Sequence, residues 1–344
     1  MKYYASEIDK YAIQVCQRNF PDTTQLGDIR EVQTKEGCLL VPHDGKDITK
    51  GAYRRKIDLL IGGSPCQDVS FAGKGKGLID GERSSLFFEF VRLYQELNPK
   101  YFILENVKMK KNSEAIITHC LGVHPIEINS SLFSAQNRKR LYWTNIPLDK
   151  LPEDKGILLK DILLDDAEEP MLSNIYGGFK EKKPRVHYGK SVTIRTASGG
   201  GHIPSVALRK HVIMSKSFTT RNAKSGCLID STKPKASSFS AMEYVKNGRQ
   251  GDYIKCDKKG VHSINGSEYR KLHPIECERL QTVPDNYTEG VSNTQRFKMI
   301  GNGMTVDVIA FLLKNAKGID NVLSCFDGMS CGQLALRRVQ DGSL

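Results

Sequence analysis

The chain has 344 residues, of which 39% are hydrophobic and 26% charged, a composition that fits one large or two modest soluble globular domains. No run of about 18 apolar residues occurs, so a membrane-spanning helix is excluded, and the start MKYYASEIDKYA lacks the pattern of a secretory signal. The net charge of +12 is concentrated in residues 171–260, which hold 18 Lys and Arg against 5 Asp and Glu, so a polyanion partner is expected, with a solubilising face as the alternative.

In chain order, YYAS (3–6) is strand-like and IDKYAIQVCQRNF (8–20) has helical periodicity. IDLLIGG (57–63) is an apolar run ending in Gly-Gly, as a strand buried on both faces does. SSLFFEFVRLYQELN (84–98) predicts a helix and YFILENV (101–107) a second buried strand. This alternation predicts βαβ units, a parallel sheet and an α/β fold, with ligands at the carboxyl ends of the strands. Between 151 and 265 the period weakens and Ser, Thr, Gly, Asn and Lys dominate, which predicts a second, smaller, loop-rich domain. LHPIECERLQTVP (272–284) and DVIAFLLKNA (307–316) read as helices, and NVLSCF (321–326) is the last strand. The predicted division is 1–150, 151–265 and 266–344, and no internal repeat is present.

Nine cysteines are scattered, with no CxxC pair and no histidine cluster beside them. No metal site is expected, and reduced thiols in a cytosol are. One cysteine sits in a chemically suggestive place. GGSPCQDVSFAGKGKGL (62–78) follows a buried strand, and Cys66 after Ser-Pro lies where an attacking thiolate belongs. By itself Cys66 reads equally well as a buried, inert thiol. LENVK (104–108) puts Glu105 and Asn106 at the end of the next strand, where Cys66 and Glu105 can share one cleft. SAQNRKRLYW (134–143) alternates Arg138 and Arg140 in a strand-like run, which places both on one face.

At this point the sequence resembles the DNA (cytosine-5)-methyltransferases. GGSPCQDVSFAGKGKGL is similar to the family's Pro-Cys nucleophile loop, ENV to its Glu-Asn-Val motif and QNRKR to its Gln-x-Arg-x-Arg motif. RKLHPIECERLQTVP (270–284) resembles its Arg-x-Leu-x-Pro motif, IGNGMTVDVIAFLL (300–313) its Gly-Asn helix entry, and SCFDGMSCG (324–332) its cofactor loop. SEIDKYA (6–12) and GDIRE (27–31) resemble its acidic cofactor motifs. Together these span nearly the whole chain outside 151–265. The usual Phe-x-Gly-x-Gly of the cofactor loop departs here, with Ser330 and Cys331 before Gly332. The motif order is also cyclically shifted: the Glu7 motif comes first and the Phe326 loop, within 322–332, last. Joining Leu344 to Met1 restores the family order, so the resemblance implies a circularly permuted, Rossmann-like S-adenosylmethionine-dependent methyltransferase fold.

The resemblance implies the roles as well. Cys66 is the nucleophile that adds to carbon-6 of cytosine, Glu105 sits protonated against N3, and Arg140 with Arg138 holds the base's O2 or supports the nucleophile loop. Glu7 accepts from the ribose of S-adenosylmethionine and Asp28 from its adenine, with Ile8, Ile29, Phe326, Asp327, Gly328, Met329, Pro65, Leu86 and Asn302 as further cofactor contacts. Ser64, Gln67, Ser70, Gln136 and Arg270 are implied contacts to the DNA or the base. The base is flipped out of double-stranded DNA, residues 151–265 form the target-recognition domain, and the Gly-Lys loop at 73–77 closes over it. A bacterial or phage setting, with a restriction-modification pair, a phage enzyme and a host regulator left open as contexts, a cytoplasmic site of action and a monomeric state complete the expectation. Alternatives are a relative that methylates transfer RNA, a catalytically silent binding protein, and an NAD-dependent oxidoreductase. The last is disfavoured because no G-x-G-x-x-G follows a strand.

Overall fold

The computed structural model describes residues 1–43, 45, 48–64, 86–165, 167–174, 184–196, 203–208, 255–256, 261–264 and 267–342. Strand β1 (Lys2–Ser6) is buried from Tyr3 onward. Helix α1 (Lys10–Asn19) follows, and the Asp9 carboxylate caps it by accepting from the N–H groups of Tyr11 and Ala12. After β2 (Thr24–Gln25) comes a small antiparallel sheet that the sequence reading did not anticipate: β3 (Thr34–Lys35), β4 (Cys38–Pro42) and β5 (Ala52–Arg55), in the order β3-β4-β5. Next are β6 (Leu59–Gly63), α2 (Leu86–Leu97), β7 (Tyr101–Val107), α3 (Lys111–Leu121), β8 (Ile126–Asn129) and β9 (Lys139–Thr144).

The segment expected to be loop-rich contributes strands among its described residues. These are β10 (Ala167–Ser173), β11 (Arg185–His187), β12 (Ser205–Leu208), β13 (Lys255–Cys256), β14 (Val261–Ile264) and β15 (Ser267–Lys271). They form one sheet in the order β11-β10-β12-β15-β14-β13, and β15 carries it past residue 265 to Lys271. The chain closes with α4 (Pro274–Leu280), α5 (Asn293–Asn302), α6 (Val306–Leu313), β16 (Asn321–Cys325) and α7 (Cys331–Asp341).

The main sheet runs β2-β1-β16-β6-β7-β9-β8. Its first five strands are parallel, whereas β9 is antiparallel to both β7 and β8. The last strand of the chain is thus a central one, paired with β1 on one side and β6 on the other. At its far end, Nε2 of Gln340 on α7 lies 3.8 Å from Sδ of Met1, so the two ends of the described chain touch.

The apolar runs of β1, β6, β7 and β16 serve two cores because successive side chains point to opposite faces. Tyr3, Ala5, Leu59, Ile61, Ile103 and Val322 pack with α1, α6 and α7, and this core continues into Met171, Ile194 and Val206 near the second sheet. Tyr4, Leu60, Phe102, Leu104 and Leu323 face the other way, onto α2 and α3. Two fully buried carboxylates in the stretch 270–296 are each met by a cation, Glu276 by Arg270 at 2.8 Å and Glu278 by Arg296 at 2.9 Å, so loss of either arginine would leave a buried charge unpaired. Among the described residues, no helix is long and apolar enough to cross a membrane.

Candidate active site

Strands β6 and β7 end side by side, with Gly63 opposite Glu105. A Cβ at position 63 would stand 3.2 Å from Oε2 of Glu105, so glycine lets the carboxylate lie across the end of β6. Glu105 is nearly buried, and Arg140 on the neighbouring β9 places Nε 2.9 Å from its Oε1. The register explains this meeting: Val107 pairs with Arg140 and Glu105 with Tyr142, so Arg140 reaches Glu105 diagonally.

Asn106 points to the other side of the strand and has a role the sequence reading missed. Its Nδ2 donates to Oγ of Ser64 at 2.9 Å, and its own Oδ1 accepts from the N–H of Val107 at 2.8 Å. Ser64 is buried and held by this contact. The three-residue ENV motif therefore aims a carboxylate into the cleft and braces the start of the Pro-Cys segment at once. Pro65, Cys66, Gln67 and Ser70, and the 73–77 loop, lie outside the described residues.

Three expected contacts turn inward. Arg138 precedes β9 rather than alternating within it, and it is buried, donating to the carbonyls of Ile194 at 3.1 Å, Gly301 at 3.2 Å and Gly303 at 3.0 Å. It joins three segments, which is a positioning task. Gln136 is corrected from a DNA or base contact to an internal brace. It has no exposed surface; its oxygen accepts from the N–H of Ile194 at 2.9 Å and its nitrogen donates to the carbonyl of Leu280 at 3.0 Å. Arg270 is likewise committed to Glu276, whose burial demands a cation.

Nearby, Gly301 packs directly on the backbone of Arg195 and Thr196, and a Cβ there would meet both at 2.5 Å. Asn302 ends α5 with its side chain exposed.

On the cofactor side the chain leaves β16 through Phe326, Gly328 and Ser330, all left-handed, with φ of 56°, 57° and 66°. This alternation turns the backbone N–H of Gly328 toward Glu7, whose Oε2 accepts it at 2.8 Å. Oε1 of Glu7 accepts from the N–H groups of Ile8 and Asp9, both at 2.8 Å. Three of roughly four lone-pair sites of the carboxylate are so occupied. Ile8 is 71% exposed, an apolar side chain standing beside that carboxylate. Asp28 caps the short turn Ile29–Glu31 and pairs with Arg30, whose guanidinium holds the Asp28 carboxyl below its ordinary range. Ile29 is buried, and Leu86 begins α2 half-buried.

Asp327 faces inward beneath this loop. It accepts from Tyr3 Oη at 2.9 Å and Ser330 Oγ at 2.6 Å. Burial pushes its carboxyl up to about 6, opposed by hydrogen bonds from Ser330, Ser324 and Tyr3 and reinforced by the charge of Glu7. Met329 also points inward: its side chain is buried, and its carbonyl accepts from Tyr287 Oη at 2.8 Å. Its expected cofactor contact is therefore corrected to a packing role for the side chain. Burial, reinforced by the Asp327 charge, raises the thiols of Cys16 and Cys331 to about 11 and about 12, which suits neither to attack. Among the described residues no group of His, Cys, Asp or Glu has the spacing to hold a metal ion.

The profile of the C-5 cytosine-specific DNA methylases matches residues 2–318. The chain belongs to that family. It is 30% identical over 322 residues to the type II methyltransferase M1.ScrFI of Lactococcus lactis subsp. cremoris, covering 89% of this chain and 69% of the relative. The type II methyltransferase M.HhaI of Haemophilus parahaemolyticus is 26% identical over 331 residues, covering 91% and 86%. An orphan methyltransferase of Bacillus phage SPR, M.SPRI, is 26% identical over 418 residues, covering 90% of each chain. This C-5 cytosine DNA methylase is therefore an enzyme of methyl transfer to DNA, on a mixed α/β methyltransferase fold.

Proposed function

We propose that this methylase transfers a methyl group from S-adenosylmethionine to carbon-5 of a cytosine flipped out of a specific double-stranded DNA sequence, through a covalent adduct with Cys66. The observation that carries the reading is the Glu105–Arg140 pair at the end of β7, adjoining Ser64 at the end of β6. Cys66 is two residues beyond the brace that Asn106 sets on Ser64.

Carbon-5 of cytosine is a poor nucleophile by itself. The Cys66 thiolate adds to carbon-6 while Glu105 supplies a hydrogen bond at N3 that neutralises the charge displaced into the ring. Arg140 orients Glu105 and the base's O2, and Arg138 holds the segments around it. The ring electrons then form a bond from carbon-5 to the methyl, whose bonding pair to the donor sulfur would remain on that sulfur as a neutral thioether. Water then takes the carbon-5 proton, the C–H electron pair forms the carbon-5–carbon-6 double bond, and the carbon-6–sulfur pair leaves on Cys66 as thiolate, which restores aromaticity and the free enzyme.

The residues present fit the methyl donor. Glu7 retains an acceptor site for the ribose hydroxyls, the exposed Ile8 offers an apolar face to the adenine, and Asp28 on its capped turn accepts from the adenine amine. Phe326, Gly328, Leu86 and Asn302 complete that wall, and the buried side chain of Ile29 packs behind it. The donor supplies an electrophilic methyl on a sulfonium centre.

The division is 1–150 and 266–344 for catalysis and 151–265 for target recognition, with β15 bridging the last boundary. Circular permutation of the family order accounts for the fold. The carboxyl-terminal strand β16 lies between β1 and β6, and Met1 meets Gln340. The family match ending at 318, before that strand, is in keeping with this order. The enzyme acts as a monomer in the cytoplasm of a bacterial or phage-infected cell.

The test is transfer of tritiated methyl to unmethylated duplex DNA by the wild type and Cys66→Ser, followed by digestion to nucleosides. Label in 5-methylcytosine that disappears in the variant is expected. Label on transfer RNA with none on DNA overturns the substrate, and label that persists in Cys66→Ser overturns the nucleophile.

A further inference from the structure

The β7–β9 ladder ends at the Val107–Arg140 pair, and Lys108 and Lys139 are the next residue on each strand. Both are exposed, and they stand beside the Glu105–Arg140 pair. Lys110 and Lys111 follow at the start of α3, exposed and without an ion-pair partner among the described residues. No side chain caps α3, so its first amides add their partial positive charge to the same surface. An open groove of about 1120 Å³ runs between α3 and the edge of the sheet, with Leu141 in its lining and Lys108, Lys110 and Lys111 among its bordering residues. Among the described residues that line it, Glu114 and Glu127 alone bring negative charge.

Glu127 on the edge strand β8 is engaged twice. Its Oε2 is 2.9 Å from Nζ of Lys108 and its Oε1 3.5 Å from Nζ of Lys139. These two cations hold its carboxyl below the ordinary range. Both pairs are exposed, so each is weak and readily exchanged for another anion.

We propose that Lys108, Lys110, Lys111 and Lys139 form a backbone grip for the DNA strand beside the flipped cytosine, and that Glu127 occupies two of the four until DNA displaces it. The proposal rests on the DNA reading above. Lys108 is three residues past Glu105, about 10 Å along the strand, which matches phosphates a few nucleotides from a base in the cleft. The described strands of the second sheet adjoin the opposite core, so the grip lies on the other side of the main sheet from them. Lysine is a point charge that contacts phosphate without reading bases, so this surface contributes affinity and no sequence preference.

The experiment is fluorescence-anisotropy binding of a labelled mixed-sequence duplex between about 50 and 200 mM salt. It compares wild type, Lys110→Gln with Lys111→Gln, and Glu127→Gln. The double variant is expected to lower the slope of log affinity against log salt by about 1.8, at about 0.9 per phosphate lost. Glu127→Gln is expected to bind more tightly at every salt concentration, because two lysines are released. A double variant with the wild-type slope, or Glu127→Gln with unchanged affinity, overturns the grip. The readout is binding, so a wild type that binds DNA but forms no 5-methylcytosine defeats the catalytic reading and leaves the grip tested on its own terms. A wild type that does not bind the duplex overturns both.

Discussion

The backbone N–H of Gly328 donates to Oε2 of Glu7 at 2.8 Å, joining residues 321 positions apart. The contact exists because β1 and β16 are parallel neighbours, Ser6 paired with Cys325, so both chains leave the sheet at the same edge. Glu7→Gln keeps the size of the side chain but sets an amide donor or a lone carbonyl against three N–H groups. Hydrogen bonds to a charged group contribute about 1.5–3 kcal/mol. Affinity for S-adenosylmethionine, measured by calorimetry, is expected to fall by about ten- to a hundredfold with little change in secondary structure.

Asp327 makes stability depend on pH in a direction opposite to most carboxylates. Burial raises its folded value to about 6, above its unfolded value. Its contribution is fully present below the unfolded value, near pH 4, and is lost as the pH rises through about 6. Asp327→Asn removes that titration and keeps a polar group for Tyr3 and Ser330. The advantage in melting temperature of Asp327→Asn over wild type is expected to grow between pH 4.5 and 7, by the equivalent of at most about 3 kcal/mol. An advantage that does not change with pH would show that another group titrates.

Asn106→Ala removes the donor that braces Ser64. Cys66 is two residues further along the chain, and displacement of a reacting atom by about 1 Å can cost about a hundredfold in rate. kcat is expected to drop ten- to a hundredfold, by the same principle of alignment, while S-adenosylmethionine affinity stays near wild type. A fall in cofactor affinity of the same size would place Asn106 in the cofactor site instead.

Gly301→Ala puts a methyl where the backbone of Arg195 and Thr196 already lies. Either α5 or the 195–196 segment must withdraw, which also strains the carbonyl contacts of Arg138 at Ile194 and Gly301. Overpacking of this kind costs about 1–3 kcal/mol. The denaturation midpoint is expected to fall accordingly, and unchanged stability would show that the two segments separate freely.

Much of this architecture was legible. YFILENV coincides with β7, and the helices expected at 8–20 and 84–98 contain α1 and α2. Long apolar runs and clear periodicity carry such signals because burial on one or both faces imposes them. The small sheet of β3 to β5 escaped notice because its strands are two to five residues long and separated by turns. Apart from the seven-residue β10, the described strands of the second sheet are short as well, and pairing runs between distant segments such as β12 and β15.

The sequence by itself determined the chemistry at issue: a Cys after Ser-Pro, a Glu-Asn-Val at a strand end, and acidic motifs around a glycine-bearing loop. Tertiary structure alone decided which polar groups work outward and which work inward. Gln136 and Arg138 share a motif with Arg140, and Arg270 opens another, yet these three bind internal carbonyls, amides or carboxylates and only Arg140 meets Glu105. A polar side chain is indifferent to whether its partner is DNA, cofactor or protein. The choice is made by which unsatisfied donors and acceptors the packed chain brings near it, and a buried one must be met from within.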